Sequence, residues 1–197
     1  MSNGRIVLLS ILGVIALVAV WIFSNINTIP RQDEAANAAW SQVLNQYQRR
    51  ADLVPNLVAT VKGYAAHEEK VLTEVTNARA HVGQIATPDP NDPKAVANYE
   101  AAQRELGGAL SRLLVVSENY PQLKANENFL TLQSQLEGTE NRISVARRDY
   151  IQAVQTYNTT LRTFPGRLIA SLFYGDMKPR ANFTADAGAE KAPQVQF

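Results

Sequence analysis

The feature that most constrains this chain is an uncharged run from Ile6 to Pro30, with an apolar heart from Ile6 to Phe23, IVLLSILGVIALVAVWIF. As a helix rising about 1.5 Å per residue it reaches across a bilayer, whose hydrocarbon core needs about 20 residues. The rival reading is a cleaved signal peptide, with an apolar core of about 7–15 residues and a small-x-small cleavage site. The run here is longer, and its flank Trp21-Ile22-Phe23-Ser24-Asn25-Ile26 offers no good small-x-small pair. Trp21 and Phe23 suit an interfacial anchor instead. The expectation is a retained anchor with Ile6, Leu12, Leu17, Trp21 and Phe23 among its membrane residues, the lipid bilayer being the partner of residues 6–23. Arg5 and the α-amine flank one side and Arg31 the other, so the charge rule barely chooses an orientation. The N-terminus is expected inside and the domain outside.

Beyond Arg31 about 165 residues remain, enough for one domain with its own core. The net charge of +1 leaves no electrostatic footprint for nucleic acid. With no cysteine there is no disulfide, thiolate nucleophile or cysteine zinc site. Gly107-Gly108 lacks the Lys-Ser/Thr of a phosphate-binding loop. His67-Glu68-Glu69 fails the zinc-protease spacing because position 71 is Val, and neither His67 nor His81 follows a Glu by three residues, as a di-iron bundle requires. Ser111 and Ser117 sit on an ordinary helix without a base or a strained turn. The expectation is a protein that is not an enzyme, with no metal and no cofactor.

From Ala36 the apolar positions step by four and three: Ala36, Trp40, Val43, Tyr47, Arg50, Val54, Leu57, Val61, Tyr64, Glu68, Val71, Val75, Ala78, Val82 and Ile85. Only Arg50 and Glu68 are charged. Such a period marks a helix packed lengthwise on partners. Its phase does not slip at Pro55, which predicts one helix from Asp33 to about Ala86, kinked at Pro55 and roughly 80 Å long. A new helix starting with Pro55 at its first position is the alternative. Thr87-Pro88-Asp89-Pro90-Asn91-Asp92-Pro93 must turn, and Asp92 should cap a helix with Pro93 at its first position. That helix carries Val96, Tyr99, Leu106, Leu110 and Leu113 and ends near Ser117. After Asn119-Tyr120-Pro121, a long helix is expected from about Gln122 to Phe164. Its stripe is Phe129, Leu132, Leu136, Ile143, Ala146, Tyr150, Ala153, Tyr157 and Phe164, interrupted by Thr139, and Pro165-Gly166 ends it.

The fold class is therefore all-α: an N-terminal transmembrane helix followed by an elongated antiparallel up-down bundle of three rods, or four if Pro55 divides the first. Residues 1–30 hold the transmembrane segment, 31–166 the bundle, and 167–197 a short amphipathic segment (RLIASLFY) and an extended tail. The middle helix, at about 38 Å, cannot cover an ~80 Å partner. Trp40, Val43 and Tyr47 should then stay uncovered near the anchor, and homo-oligomers should bury them.

Arg50 lies on the apolar stripe and needs a partner. Glu127, Glu137 and Glu140 are the candidates, and Asp52 and Asn56 complete the polar cluster. An ion pair fixing helix register is preferred over a binding patch. Glu137-Gly138-Thr139-Glu140-Asn141-Arg142 also reads as structural, Gly138 permitting close approach.

Several of these stretches together resemble the LemA family. They are Trp40 to Val58 with Arg49-Arg50, Asp52 and Pro55-Asn56-Leu57, then Thr60 to Ala65. Tyr120-Pro121 to Leu130, Leu136 to Ile143 with Ala146-Arg147-Arg148 and Tyr150, Phe164-Pro165-Gly166, and the ending Pro193-x-Val195-x-Phe197 belong with them. The resemblance spans essentially the whole chain. It implies a single-anchor protein of the bacterial inner membrane with a long antiparallel helical domain, more readily placed outside the cytoplasm. It also implies kinship with proteins of magnetosome membrane biogenesis, and it brings no catalytic residues. The expected role is a non-enzymatic, oligomer-forming envelope scaffold. One alternative is an adaptor presenting Val195 and Phe197 to a membrane-associated protease or other partner by strand addition. An enzyme or metal-binding bundle is disfavoured by the failed spacings.

Overall fold

The computed structural model describes residues 3–183, without the side chains of Arg5 and Ile6. Seven helices follow in order: α1 (Asn3–Asn25), α2 (Thr28–Lys62), α3 (Glu69–Gln84), α4 (Pro93–Ser117), α5 (Pro121–Lys124), α6 (Glu127–Arg162) and α7 (Gly166–Phe173). Among the described residues there is no strand. Among the described residues one helical stretch is long and apolar enough to cross a membrane; its most apolar 18-residue window has a mean hydropathy of 2.7, and none of that window is buried against the protein. Leu12, Leu17, Trp21 and Phe23 are all exposed on α1; the side chain of Ile6 lies outside the described residues.

α1 passes into α2 with little interruption. The Ile26 N–H donates to the Ile22 carbonyl (2.8 Å) and the Arg31 N–H to that of Asn27 (3.2 Å). Pro30 falls in the first turn of α2, where a missing N–H leaves no helical bond unmade. Pro55 does not divide α2. It removes the N–H that would bond the Ala51 carbonyl, and Arg79 Nε on α3 donates to that oxygen instead, at 2.9 Å.

The expected single rod from Asp33 to Ala86 is corrected at Gly63. α2 ends at Lys62, the Tyr64 and Ala65 amides both close on the Val61 carbonyl (3.0 and 2.8 Å), and α3 folds back along α2. Glycine is the weakest helix former on this stretch apart from proline. A tight turn that keeps the apolar phase on both sides is invisible to periodicity. The stripe is buried from Ala36 to Val61. Beyond it Tyr64 is exposed, Ala65 plugs the turn, and Leu72 rather than Val71 is buried, with Val75, Ala78 and Val82.

Asp92 caps α4 by accepting from the Lys94 (2.9 Å) and Ala95 (3.2 Å) amides, with Pro93 at the first position. The expected helix from Gln122 to Phe164 is also corrected. Pro121–Lys124 is a single turn, and Asn126 starts α6 afresh, its Oδ1 accepting the Phe129 N–H at 3.0 Å. Thr139 is buried but its hydroxyl is satisfied by the Gln135 carbonyl at 2.7 Å.

The bundle thus runs α2 up, α3 down, α4 up and α6 down. α2 and α6, each roughly 53 Å long, pair along their whole length. At the distal tip, Tyr120 Oη donates to Glu68 (2.9 Å) and Asn126 donates to Tyr64 Oη (2.9 Å), tying the two turns together. α3 and α4 complete the distal half. Toward the membrane their place on the α2–α6 pair is taken by the segment 175–183, hereafter the strap.

That strap overturns the expected uncovered stripe. Trp40, Val43 and Tyr47 are 3, 0 and 2% exposed. Tyr150 lies against Trp40 with ring centroids 5.0 Å apart, Phe183 of the strap covers both rings at 5.7 and 5.2 Å, and Tyr99 edges onto Tyr47 at 5.8 Å. The first rod is shorter than expected and α6 as long as α2, so no length of α2 lacks a partner. At the base, α7 seats Ile169 on Ile29 and Tyr157. A Cβ at Gly166 would fall 2.1 Å from the Thr160 carbonyl oxygen, so only glycine lets α7 begin this close to α6.

Candidate functional site

Arg50, Glu100 and Gln103, buried polar residues of the interior, gather at one level, where the four-rod half gives way to the half closed by the strap. Arg50 on α2 is 4% exposed. Its Nη1 donates to Glu140 Oε1 on α6 (2.8 Å), and its Nη2 to both the backbone carbonyl (2.9 Å) and Oε1 (2.6 Å) of Gln103 on α4. The guanidinium also lies over the Tyr47 ring, 5.3 Å from its centroid. Gly107 on α4 lies beside it, where a Cβ would sit 3.5 Å from Arg50 Nη1, an ordinary contact. About one helical turn nearer the membrane, Arg147 Nη2 donates to the buried Glu100 carboxylate at 3.0 Å. Burial pushes the Tyr47 hydroxyl above its ordinary range, against the pull of Arg147 and Arg50, and burial likewise raises Tyr99. Both phenols stay neutral at physiological pH.

Of the residues the sequence grouped with Arg50, the fold brings only Glu140 to it. Glu127 stands exposed in the first turn of α6. Glu137 is exposed and accepts from Gln133 at 3.1 Å, and Asp52 is exposed and accepts from Gln48 at 2.7 Å. Asn56 is exposed and lines a shallow surface cleft with Asn128 and Thr131. Sequence reasoning missed Gln103, Glu100 and Arg147. A signal was present: the α4 stripe skips from Tyr99 to Leu106, and the intervening step is Gln103.

A second polar cluster locks the strap. Arg180, buried, donates from Nε (2.9 Å) and Nη2 (2.8 Å) to Asp33 Oδ1 at the start of α2. The Asn158 side chain accepts from the Arg180 N–H (2.9 Å) and donates to its carbonyl (3.0 Å), standing in for a strand partner. Tyr157 donates to the Lys178 carbonyl (3.2 Å) and Tyr150 to that of Ala181 (3.0 Å). Burial pushes both phenols up to about 12. Val195 and Phe197, named as a recognition ending, lie outside the described residues.

Neither cluster pairs a nucleophile with a base. The Ser111 and Ser117 hydroxyls are spent on carbonyls of their own helix, Gly107 (3.0 Å) and Leu114 (2.6 Å). His67 is exposed, and His81 Nδ1 lies 2.9 Å from Glu105 at the surface. Among the described residues no group of three or more His, Asp or Glu is placed to hold a metal ion. An open cleft of about 460 Å³ lies between α2 and α3, with Lys62 and Glu69 among its lining residues.

The geometry is that of an anchored rod with a buried polar level at its centre, joined by Arg50–Glu140, Arg50–Gln103 and Arg147–Glu100. The LemA family model matches residues 39–197, nearly all of the chain beyond the anchor. The chain belongs to the LemA family. Among curated relatives, magnetosome proteins MamQ 1 and MamQ 2 of Paramagnetospirillum magneticum are each 25% identical over 183 residues, covering 84% of this chain and 67% of theirs. The MamQ of Magnetospirillum gryphiswaldense is 23% identical over 192 residues, 87% of this chain and 71% of its own. A Protein LemA of Metamycoplasma hominis is 25% identical over 133 residues, 68% of this chain and 57% of its own. Among the described residues, the LemA stretches singled out in the sequence have places in the fold. Trp40 to Val58 contributes Arg50 and the Pro55 gap that Arg79 fills, and Tyr120 to Leu130 builds the distal tip. Leu136 to Tyr150 of this LemA chain holds Glu140, Arg147 and the ring that supports the strap.

Proposed function

We propose that this LemA protein is a non-enzymatic scaffold of the bacterial envelope, held by α1 in the inner membrane with its bundle on the extracytoplasmic side. The observation that carries the reading is the passage of an exposed apolar helix into a packed rod: α1 enters α2 with helical bonding on both sides of Ile26–Asn27. A domain joined this way is carried by its anchor at a set stand-off from the membrane rather than on a loose linker. The interior polar groups supply alignment, and a surface for a partner is left on the outer faces. Relatives named as magnetosome proteins, matching over most of this chain, support a role in organising a membrane.

Copies of the chain confined to one membrane plane are the partners this reading favours. Since Trp40, Val43 and Tyr47 are buried, the copies would meet through α1 and outer faces rather than through that stripe. Because the natural chain has no cysteine, single cysteines report contacts cleanly. A Leu17→Cys variant, at a position 72% exposed on α1, should form oxidative dimers in membranes. The same protein should sediment above monomer mass in mild detergent. A monomer that forms no dimer from Leu17 or from other outward positions along α1 and α6 overturns the assembly reading.

A further inference from the structure

α7 is amphipathic, and the bundle covers only part of its apolar surface. Ile169 is buried on Ile29 and Tyr157. Around it Leu168, Leu172 and Phe173 of α7 are 45, 63 and 50% exposed, and Phe164, in the turn before the helix, is 75% exposed. Leu168 and Leu172 lie one turn apart and form an outward line that Phe164 precedes in the turn before the helix. On a soluble domain four large apolar side chains together mark a contact surface.

Their position says what they meet. α7 touches α1, α2 and α6 at the base of the bundle. The Phe164 ring stacks on Trp21 of α1, with centroids 5.7 Å apart and planes 23° from parallel. Trp21 is one turn, or about 6 Å, before the end of α1, at the depth where aromatic residues border a bilayer. A ring stacked on Trp21 shares that depth. Arg162 and Arg167 flank the apolar line and are both exposed, which suits long cationic side chains reaching phosphate headgroups.

We propose that α7 with Phe164 is an interfacial helix, sunk into the headgroup boundary beside the transmembrane anchor. Phe164, Leu168, Leu172 and Phe173 contact lipid. The inference rests on the anchor reading and extends it. The protein then grips the membrane at two points, which fixes the rotation and tilt of the bundle about α1. A single helix crossing alone would leave both free.

The test uses the full-length chain reconstituted in phosphatidylcholine vesicles containing phosphatidylglycerol. Single cysteines at Leu172, Leu12 and Val115 carry an environment-sensitive fluorophore. Val115 is 70% exposed near the distal end of α4. Lipids spin-labelled near the headgroup should quench Leu172→Cys at least about twofold more than Val115→Cys, as an interfacial helix requires. Lipids labelled deep in the chains should quench Leu12→Cys. If Leu12→Cys is lipid-quenched while aqueous iodide quenches Leu172→Cys as freely as Val115→Cys, the base of the bundle stands clear of the membrane and the proposal fails. Shielding of Leu172→Cys from both lipid and iodide means that protein covers α7, and the proposal fails equally. If Leu12→Cys escapes lipid quenching, the anchor reading falls and takes this inference with it.

Discussion

Replacing Arg50 tests whether the buried polar level holds the bundle or merely occupies it. Arg50→Ala removes three hydrogen bonds, one to Glu140 and two to Gln103. The two partners respond differently. The Glu140 side chain is 46% exposed and returns to water, so no buried charge is stranded and the full penalty of a broken interior pair does not apply. Gln103 is 2% exposed and loses the donor to its side-chain oxygen, at about 1–3 kcal/mol for a buried polar group. The vacated space beside Tyr47 and Gly107 adds about 1–2 kcal/mol. The sum is about 2–5 kcal/mol.

The same reasoning orders a series. Arg50→Met keeps the stem and leaves mainly the Gln103 loss, about 1–3 kcal/mol. Adding Gln103→Leu to Arg50→Met removes both buried partners together and should recover most of that. The assay is urea unfolding of the full chain in detergent, followed by far-ultraviolet circular dichroism, with unchanged slopes required before midpoints are compared. An Arg50→Ala midpoint within about 0.5 kcal/mol of the natural protein would refute the burial argument. A double variant as damaged as Arg50→Ala would show that the charge itself is needed.

Two further outcomes follow from particular contacts. Arg79→Met should cost about 1 kcal/mol where Pro55 is present, because Ala51 then loses its one donor, and almost nothing in a Pro55→Ala background whose new amide restores the helix bond; equal costs in a double-mutant cycle would dissolve the link. Tyr150 and Tyr157, held near 12 against 10.0 when unfolded, keep their protons in the folded protein after the unfolded chain has lost them, so stability is whole below pH 10 and falls from pH 10 to 12. The fall should reach about 1–2 kcal/mol per tyrosine and be flattened in the Tyr150→Phe/Tyr157→Phe variant, which at neutral pH gives up about 1 kcal/mol for each lost bond to the strap; a variant as alkali-sensitive as the natural protein would disprove it.

Much of the architecture was legible because the stripe is strict. The positions from Ala36 to Val61 and the Asp92-Pro93 start are where periodicity and capping put them. The hairpin at Gly63 escaped because its turn returns the chain to the same phase, and Asn126 escaped because the apolar pattern continues past it. The strap was illegible for a different reason. Residues 175–183 have no period, and they are held through backbone groups by Tyr150, Tyr157 and Asn158, far away in sequence. Arg50 announced itself as a charge on an apolar face, but its choice of Glu140 over Glu137 depends on how α6 is rotated against α2.

That choice also shows what a polar level does inside a long bundle. α2 and α6 each repeat roughly every seven residues, so an apolar seam alone would tolerate sliding one helix by one repeat. Sliding α6 seven residues one way sets Arg147 against Arg50, two cations in the interior. Sliding it the other way sets Gln133 there and leaves Arg50 without a carboxylate. Either slip also parts Arg147 from Glu100, which is buried. The polar residues thus penalise each neighbouring register while Leu, Val and Ile would accept it. In the register they select, Asp33 meets Arg180 and Ile29 meets Tyr157 and Ile169. The membrane end therefore closes only when the centre is aligned, so a role read at the membrane surface depends on residues some 30 Å away along the rod, about twenty residues of helix.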